Sequence, residues 1–237
     1  MAIKALLFDK DGTLIDVNRT WIPLYRQMLA EEFNAEVHEV TALLVKAGYD
    51  PHTDSFLAGS VLAGGTTRQL VDIWWPRADA QTQAATAHRI DHHYAPVARK
   101  YLQPLLDLSA VFDSLKSLDF RLGVGTNDSV FSATGQMESL NVQHYFDAIL
   151  GADSVALPKP SGQMVRKFAD LMQLETSEIA MVGDNTHDME EAHQAGAMGI
   201  GVLSGNARRE HLAPLTPYIL DDVAALPAFF KSHAHVL

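Results

Sequence analysis

Two aspartates one residue apart, Asp9 and Asp11, end a short apolar run near the start of the chain and lead into Gly12-Thr13-Leu14. Further along, Thr126-Asn127-Asp128 follows a second apolar run, and Lys159 sits in Leu157-Pro158-Lys159-Pro160. Gly183-Asp184 closes another run, with Asp188 one helical turn beyond. Taken singly, each has a plain explanation, because Asp, Asn and Gly are common turn formers. Taken together they do not: a D-x-D-G-T string arises by chance in a chain of this length at roughly two in a thousand. Carboxylates from two strands offer hard oxygen ligands, which suit Mg²⁺, an ion that keeps waters and binds substrate phosphate oxygens. A lysine and a hydroxyl can hold phosphate oxygens and offset their charge. One aspartate can act as nucleophile, dividing a hard displacement into two easier ones. A second can protonate the leaving oxygen and then activate water. The combined chemistry is phosphoryl transfer through an aspartyl-phosphate.

Such a site needs strands that end together. Apolar runs bounded by turn residues, at Ile3 to Phe8, Arg121 to Thr126, Ala148 to Leu150, Ile179 to Val182 and Gly199 to Leu203, read as buried strands. Helical patterns lie between them at Ala110 to Leu118, Val130 to Leu140, Gln163 to Leu174 and Met189 to Ala195. That alternation predicts an α/β fold with a Rossmann-like parallel sheet, whose ligands gather at the carboxyl ends of the strands. The stretch from Asp16 to Lys100 breaks the rhythm. It shows no convincing strand and carries helical patterns at Trp21 to Phe33, Glu36 to Ala47, Thr67 to Trp75 and Gln81 to Tyr94. The expected organisation is a catalytic core of residues 1–15 and 101–237, with residues 16–100 inserted after the first strand as a small helical domain.

Composition narrows the partners. At roughly 150 residues per domain, 237 residues make one or two domains, and 47% hydrophobic residues can form a sizeable core. With 18 basic and 29 acidic residues the net charge is −11, a balance that repels nucleic acid and anionic membranes. The absence of cysteine excludes disulfides, thiolate zinc sites and cysteine catalysis. No run approaches the roughly 20 apolar residues of a membrane helix, and the N-terminus lacks the pattern of a signal peptide. A cytoplasmic protein is expected; oligomeric state is not readable.

On these motifs the sequence resembles the haloacid dehalogenase superfamily, and within it the capped phosphatases similar to phosphoglycolate phosphatase. Asp9-Lys10-Asp11-Gly12-Thr13-Leu14 resembles the family's nucleophile motif, Thr126 the second motif, Lys159 the third, and Gly183-Asp184 with Asp188 the fourth. The resemblance covers the whole chain, the helical insert corresponding to a type I cap. It implies that Asp9 attacks phosphorus and binds Mg²⁺, and that Asp11 is the general acid and base, its backbone carbonyl also on the metal. It implies further that Thr126, Asn127 and Lys159 hold the phosphoryl group, and that Asp184 completes the metal shell, with Asp188 either a ligand or orienting a metal-bound water. The substrate would be a small phosphate ester, phosphoglycolate-like or a sugar phosphate. One departure stands out: relatives often read K-P-x-P where this chain reads Lys159-Pro160-Ser161-Gly162. Loss of the second proline is expected to loosen the helix that follows.

Other reactions fit less well. Dehalogenases of the superfamily lack the second aspartate. A phosphonatase would need a cap lysine, and Lys46 lies in an ordinary helix end. A sugar-phosphate mutase keeps all four motifs and stays open. Phospho-accepting receiver modules carry their aspartate on an internal strand, and a silent binding module would not need both Asp9 and Asp11. His88, His92 and His93 include an i, i+4 pair, but beside Arg89 and Asp91 they read as a solvated helix face. No P-loop motif is present. Trp21, Trp74 and Trp75 read as core or cap-interface residues, and Thr67, Arg68 and Arg19 as candidate cap contacts.

Overall fold

In the computed structural model, which describes residues 2–233, β1 (Ala5–Phe8) is buried at every position. Its side chains alternate between two cores. Leu6 and Phe8 join Phe112, Leu122 and Val182 on one face, while Ala5 and Leu7 join Met164, Phe168 and Met181 on the other. This is the period of two expected of a strand covered on both sides.

The chain forms a short antiparallel hairpin, β2 (Tyr49–Asp50) with β3 (Ser55–Phe56), and five further strands: β4 (Arg121–Gly125), β5 (Ala148–Leu150), β6 (Ile179–Gly183), β7 (Met198–Val202) and β8 (Ile219–Leu220). The last five join β1 in one parallel sheet of order β5-β4-β1-β6-β7-β8. β1 is therefore central, and its two neighbours come from distant parts of the sequence. Helices α6 (Leu108–Lys116), α7 (Val130–Ser139), α8 (Gln163–Met172), α9 (Thr186–Ala195), α10 (Arg209–Leu212) and α11 (Leu226–His233) accompany this sheet.

Between β1 and α6 lie α1 (Val17–Phe33), α2 (Val37–Ala47), α3 (Val61–Gly64), α4 (Thr67–Trp74) and α5 (Ala80–Ala98). They bury a cluster of their own that includes Leu24, Met28, Leu44, Val71, Trp74 and Tyr94. The fold is thus the expected α/β core with an inserted helical cap. α1 starts at Val17 rather than Trp21, because the Asp16 carboxylate accepts the Arg19 N–H at 2.9 Å and caps the helix there. α9 likewise starts early, where Asp188 Oδ2 accepts the Asn185 N–H at 3.0 Å. The cap hairpin and β8 escaped the sequence reading because two-residue strands carry no periodic signal.

The helix after Lys159 is not loosened. Gly162, at the position of the relatives' second proline, has φ +79° and donates its N–H to Glu191 Oε2 at 2.6 Å. Oε1 of the same buried carboxylate accepts from Met164 and Val165 at 2.8 and 3.2 Å. An anion on the first amides of α8 thus anchors the helix entry where relatives carry a proline. Gly162→Pro, which restores the relatives' pattern, is expected to destabilise rather than stabilise. Proline has no N–H for Glu191 and its ring forbids this φ, so about 2–4 kcal/mol should be lost. Thermal unfolding should show a Tm lower by roughly 5–15 °C; an unchanged or raised Tm would refute this account of the loop.

Candidate active site

Register brings the motifs together. Phe8 pairs with Val124 on one side and Val182 on the other, so Asp9, Thr126 and Asp184 leave adjacent strands at one end of the sheet. The Asp9 N–H donates to Val182 O at 2.8 Å and the Thr126 N–H to Leu150 O at 3.0 Å, carrying the ladder to the site's edge. This is where an open α/β sheet places its ligands. After Asp11 the backbone turns at Gly12, with φ +80°. A Cβ there would stand 2.5 Å from Asp184 Oδ2, so only glycine lets the first motif pass the fourth.

Asp9, Asp184 and Asp188 are buried, and each has a carboxylate oxygen within 4.8 Å of the others'. The Lys159 ammonium lies among them, 2.7 Å from Asp9 Oδ1 and 2.6 Å from Asp188 Oδ1. Asp184 accepts from Thr13 Oγ1 at 3.4 Å and from the Asn206 N–H at 3.2 Å. One lysine does not balance three carboxylates. Burial pushes the Asp9 carboxyl up to about 7, Lys159 pulling it down while Asp188 and Asp11 push it further up. Asp184 is raised well above the carboxylate range, first by burial and then by Asp9 and Asp188. Burial works against the Lys159 charge, yet Asp188 and Asp9 outweigh it and raise its pKa. These oxygens make a donor set for a hard cation and leave negative charge for it to neutralise.

Asp11 is gripped by two donors. Lys10 Nζ lies 2.6 Å from its Oδ2, and the Trp21 indole N–H of the cap donates to its Oδ1. Lys10 is wholly buried, also faces Asp128 Oδ2 at 3.3 Å, and lies 5.0 Å from the centre of the Trp21 ring. Burial disfavours the Lys10 ammonium, but Asp11 and Asp128 raise its pKa. Asp128 is raised by burial, with Lys10 opposing. Asn127 turns its side chain to the scaffold: Oδ1 accepts the Lys159 N–H at 3.0 Å, and Nδ2 donates to Lys159 O at 3.2 Å and to Gly64 O of the cap at 2.9 Å. Thr126 Oγ1 accepts the Asp128 N–H at 3.1 Å, which leaves its own proton to donate.

Cap and core enclose a cleft of about 890 Å³, counting its open mouth. Asp9, Asp11, Thr126, Asn127, Lys159 and Asp188 form its floor, and Asp184 lies behind them. Trp21, Tyr25, Trp74 and Tyr94 line the cap side, together with Thr67 and Asp91. Of the candidate cap contacts only Thr67 reaches the cleft; Arg68 pairs with Asp72 at 2.9 Å and Arg19 with Asp16 at 3.5 Å. Lys46 is exposed on α2. His88 and His92 lie with ring centres 4.3 Å apart, tilted against each other on an exposed face, and no third ligand joins them among the described residues. Asp91 does not share that solvated face. It falls one turn from Ala87, Tyr94 and Ala95 on the buried stripe of α5, a periodicity that could have revealed it. Trp21, read from the sequence as a core or cap-interface residue, lies at that interface on Asp11, whereas Lys10, Tyr25 and Glu191 escaped the sequence reading because their side-chain direction is set by tertiary packing.

Comparison with known proteins places this arrangement. The family model described as haloacid dehalogenase-like hydrolase matches residues 3–196, and the chain belongs to that family. It is 29% identical over 223 residues to "Probable phosphatase IndB" of Dickeya dadantii, covering 92% of this chain and 88% of that protein. It is 29% identical over 227 residues to a phosphoglycolate phosphatase of Rhodospirillum rubrum, covering 94% of this chain and 89% of that one. The crystal structure of a β-phosphoglucomutase from Clostridium difficile shares the fold with a TM-score of 0.70 at 15% identity, covering 98% and 96% of the two chains.

Lys10→Met should cost about 3–5 kcal/mol of stability, since it leaves Asp128 and Asp11 buried without their cation. Asp128 would then have a folded-state pKa further above its unfolded value. The deficit should therefore grow as pH rises from about 4, being larger at pH 8 than at pH 5. Urea unfolding at the two pH values measures it, and a pH-independent deficit would contradict the charge assignment.

Proposed function

We propose that the protein is a Mg²⁺-dependent phosphatase of small-molecule phosphate monoesters that works through an aspartyl-phosphate. The observation carrying this reading is the convergence of Asp9, Thr126, Lys159, Asp184 and Asp188 at the ends of β1, β4 and β6, under a cap that contributes Trp21 to Asp11. The similarity to proteins named as phosphatases supports it. In this reading residues 1–15 and 101–237 are the catalytic core and residues 16–100 the cap, acting in the cytoplasm. Asp9, Asp184 and Asp188, with the Asp11 carbonyl, would hold the ion, which supplies positive charge against the phosphoryl oxygens.

The chain's own residues account for the proton and bond changes. An Asp9 oxygen forms a bond to phosphorus as the ester P–O bond breaks, and the leaving oxygen takes a proton from Asp11. Asp11 then removes a proton from water, which attacks the same phosphorus. The P–O bond to Asp9 breaks, inorganic phosphate leaves, and the Asp9 carboxylate is restored. To carry that proton, Asp11 releases either Lys10 or Trp21. The Thr126 hydroxyl and the Lys159 ammonium hold phosphoryl oxygens. Asn127 acts mainly by fixing the Lys159 loop and the cap edge at Gly64.

Asp9→Asn should lower phosphate release from a panel of metabolite phosphates by on the order of 10⁴-fold or more while the chain stays folded. Near-normal release by this variant would remove Asp9 as nucleophile, and isomerised product without release would identify a mutase. Adding millimolar Mg²⁺ to metal-free protein at pH 8 should raise Tm by roughly 4–10 °C. The shift should shrink at pH 5.5, where protons compete for the same carboxylates. Absence of any shift at pH 8 would count against the metal site.

A further inference from the structure

The cleft's two ends have opposite character. The floor offers Lys159 and Thr126 to an anion, whereas the cap wall offers Trp21, Tyr25, Trp74 and Tyr94 together with the carboxylate of Asp91. Trp21 and Tyr25 stack at 5.5 Å, and Tyr25 meets Trp74 edge-on at 5.7 Å. One Asp91 oxygen accepts from Thr67 Oγ1 at 2.5 Å, and no cationic side chain pairs with it among the described residues. Burial, reinforced by Asp128 and Asp153 and opposed by Thr67, lifts this carboxyl to about 7, as expected of an acid lacking a counter-charge. Apart from Lys159 and His187, no basic side chain lines the cleft among the described residues. Lys159 is already engaged by Asp9 and Asp188. Asn185 lines the same cleft, and its buried Nδ2 has no acceptor among the described residues.

A carboxylate on the organic part of a substrate, as in phosphoglycolate, would meet repulsion and no partner on this wall. A protonated amine would meet a half-buried carboxylate and aromatic faces, the pairing that cations favour. Resting on the phosphatase reading, we propose that the cleft takes phosphate esters whose organic part is an apolar or aromatic group bearing a protonated amine. Asp91 is the amine's partner and the residue that sets this specificity. A merely structural Asp91, tying α4 to α5 through Thr67, would affect stability and leave substrate preference where it is.

Three esters alike except at one substituent separate these outcomes: 4-(aminomethyl)phenyl, 4-methylphenyl and 4-carboxyphenyl phosphate. With the full chain and Mg²⁺, kcat/KM for the amine should exceed that for the methyl ester by about tenfold and that for the carboxyl ester by about 100-fold, mostly through KM. In Asp91→Asn the amine-to-methyl ratio should fall to about one. Calorimetric binding of the three matching benzylphosphonates, which cannot be hydrolysed, should rank them in the same order. A wild-type preference for the carboxyl ester, equal use of all three, or an unchanged ratio in Asp91→Asn overturns the proposal. If the wild-type chain releases phosphate from metabolite phosphates but from none of these esters, the proposal falls; if it releases phosphate from neither, the phosphatase reading falls instead. The phosphonate affinities then still decide the amine preference, as they do should Asp91→Asn fail to fold.

Discussion

Three carboxylates share a buried space with a single ammonium, and much of the structure follows from that imbalance. Each buried ion costs several kcal/mol unless attraction and hydrogen bonds repay it. Lys159 bridges Asp9 and Asp188, while Asp184 draws on Thr13 and a backbone amide. What remains is a site that carries excess negative charge and yet must receive an anionic ester. A hard cation held by these carboxylates would resolve both demands, because it would offset their charge and turn the local field toward the phosphate. The site stands on a sheet whose central strand is packed on both faces by apolar side chains.

Several residues of the cleft and its motifs also hold the architecture. Asn127 links the second motif, the lysine loop and the cap edge through one amide group. Asp188 bridges to Lys159 with one oxygen and caps α9 with the other. Trp21 belongs to the cap, yet its indole N–H ends on Asp11 of the core. A change at any of these positions removes contacts to more than one element at once. The cap consequently does more than cover the site: it supplies one of the two donors on Asp11.

Five of the six core strands were legible within a residue or two, because short apolar runs that end in turn residues have few other uses; the two-residue β8 was not. The motif residues were legible because carboxylates, a hydroxyl and a lysine at successive strand ends have a shared chemical purpose. The cap's helices were visible as periodic patterns, although their ends moved where Asp16 and Asp79 cap them. The basic cap residues were misleading. Arg68 and Arg19 looked suited to a substrate but are spent on neighbouring aspartates, and Asp91 looked solvated but lines the cleft. Side-chain type does not say which way a helix is rolled against its neighbour.

By itself the sequence determined the class of fold, the inserted helical segment and the set of groups available for phosphoryl chemistry. Those depend on local patterns, apolar periods and motif spacing, which are complete within short stretches of chain. Only the tertiary structure decided that Lys159 joins Asp9 to Asp188, that Lys10 is buried against Asp11 and Asp128, and that Glu191 replaces a proline at the start of α8. Each of these is a charge balance between residues far apart in sequence or aimed by packing. Such balances exist only once the sheet order has set β4 and β6 on either side of β1 and the cap has closed above them.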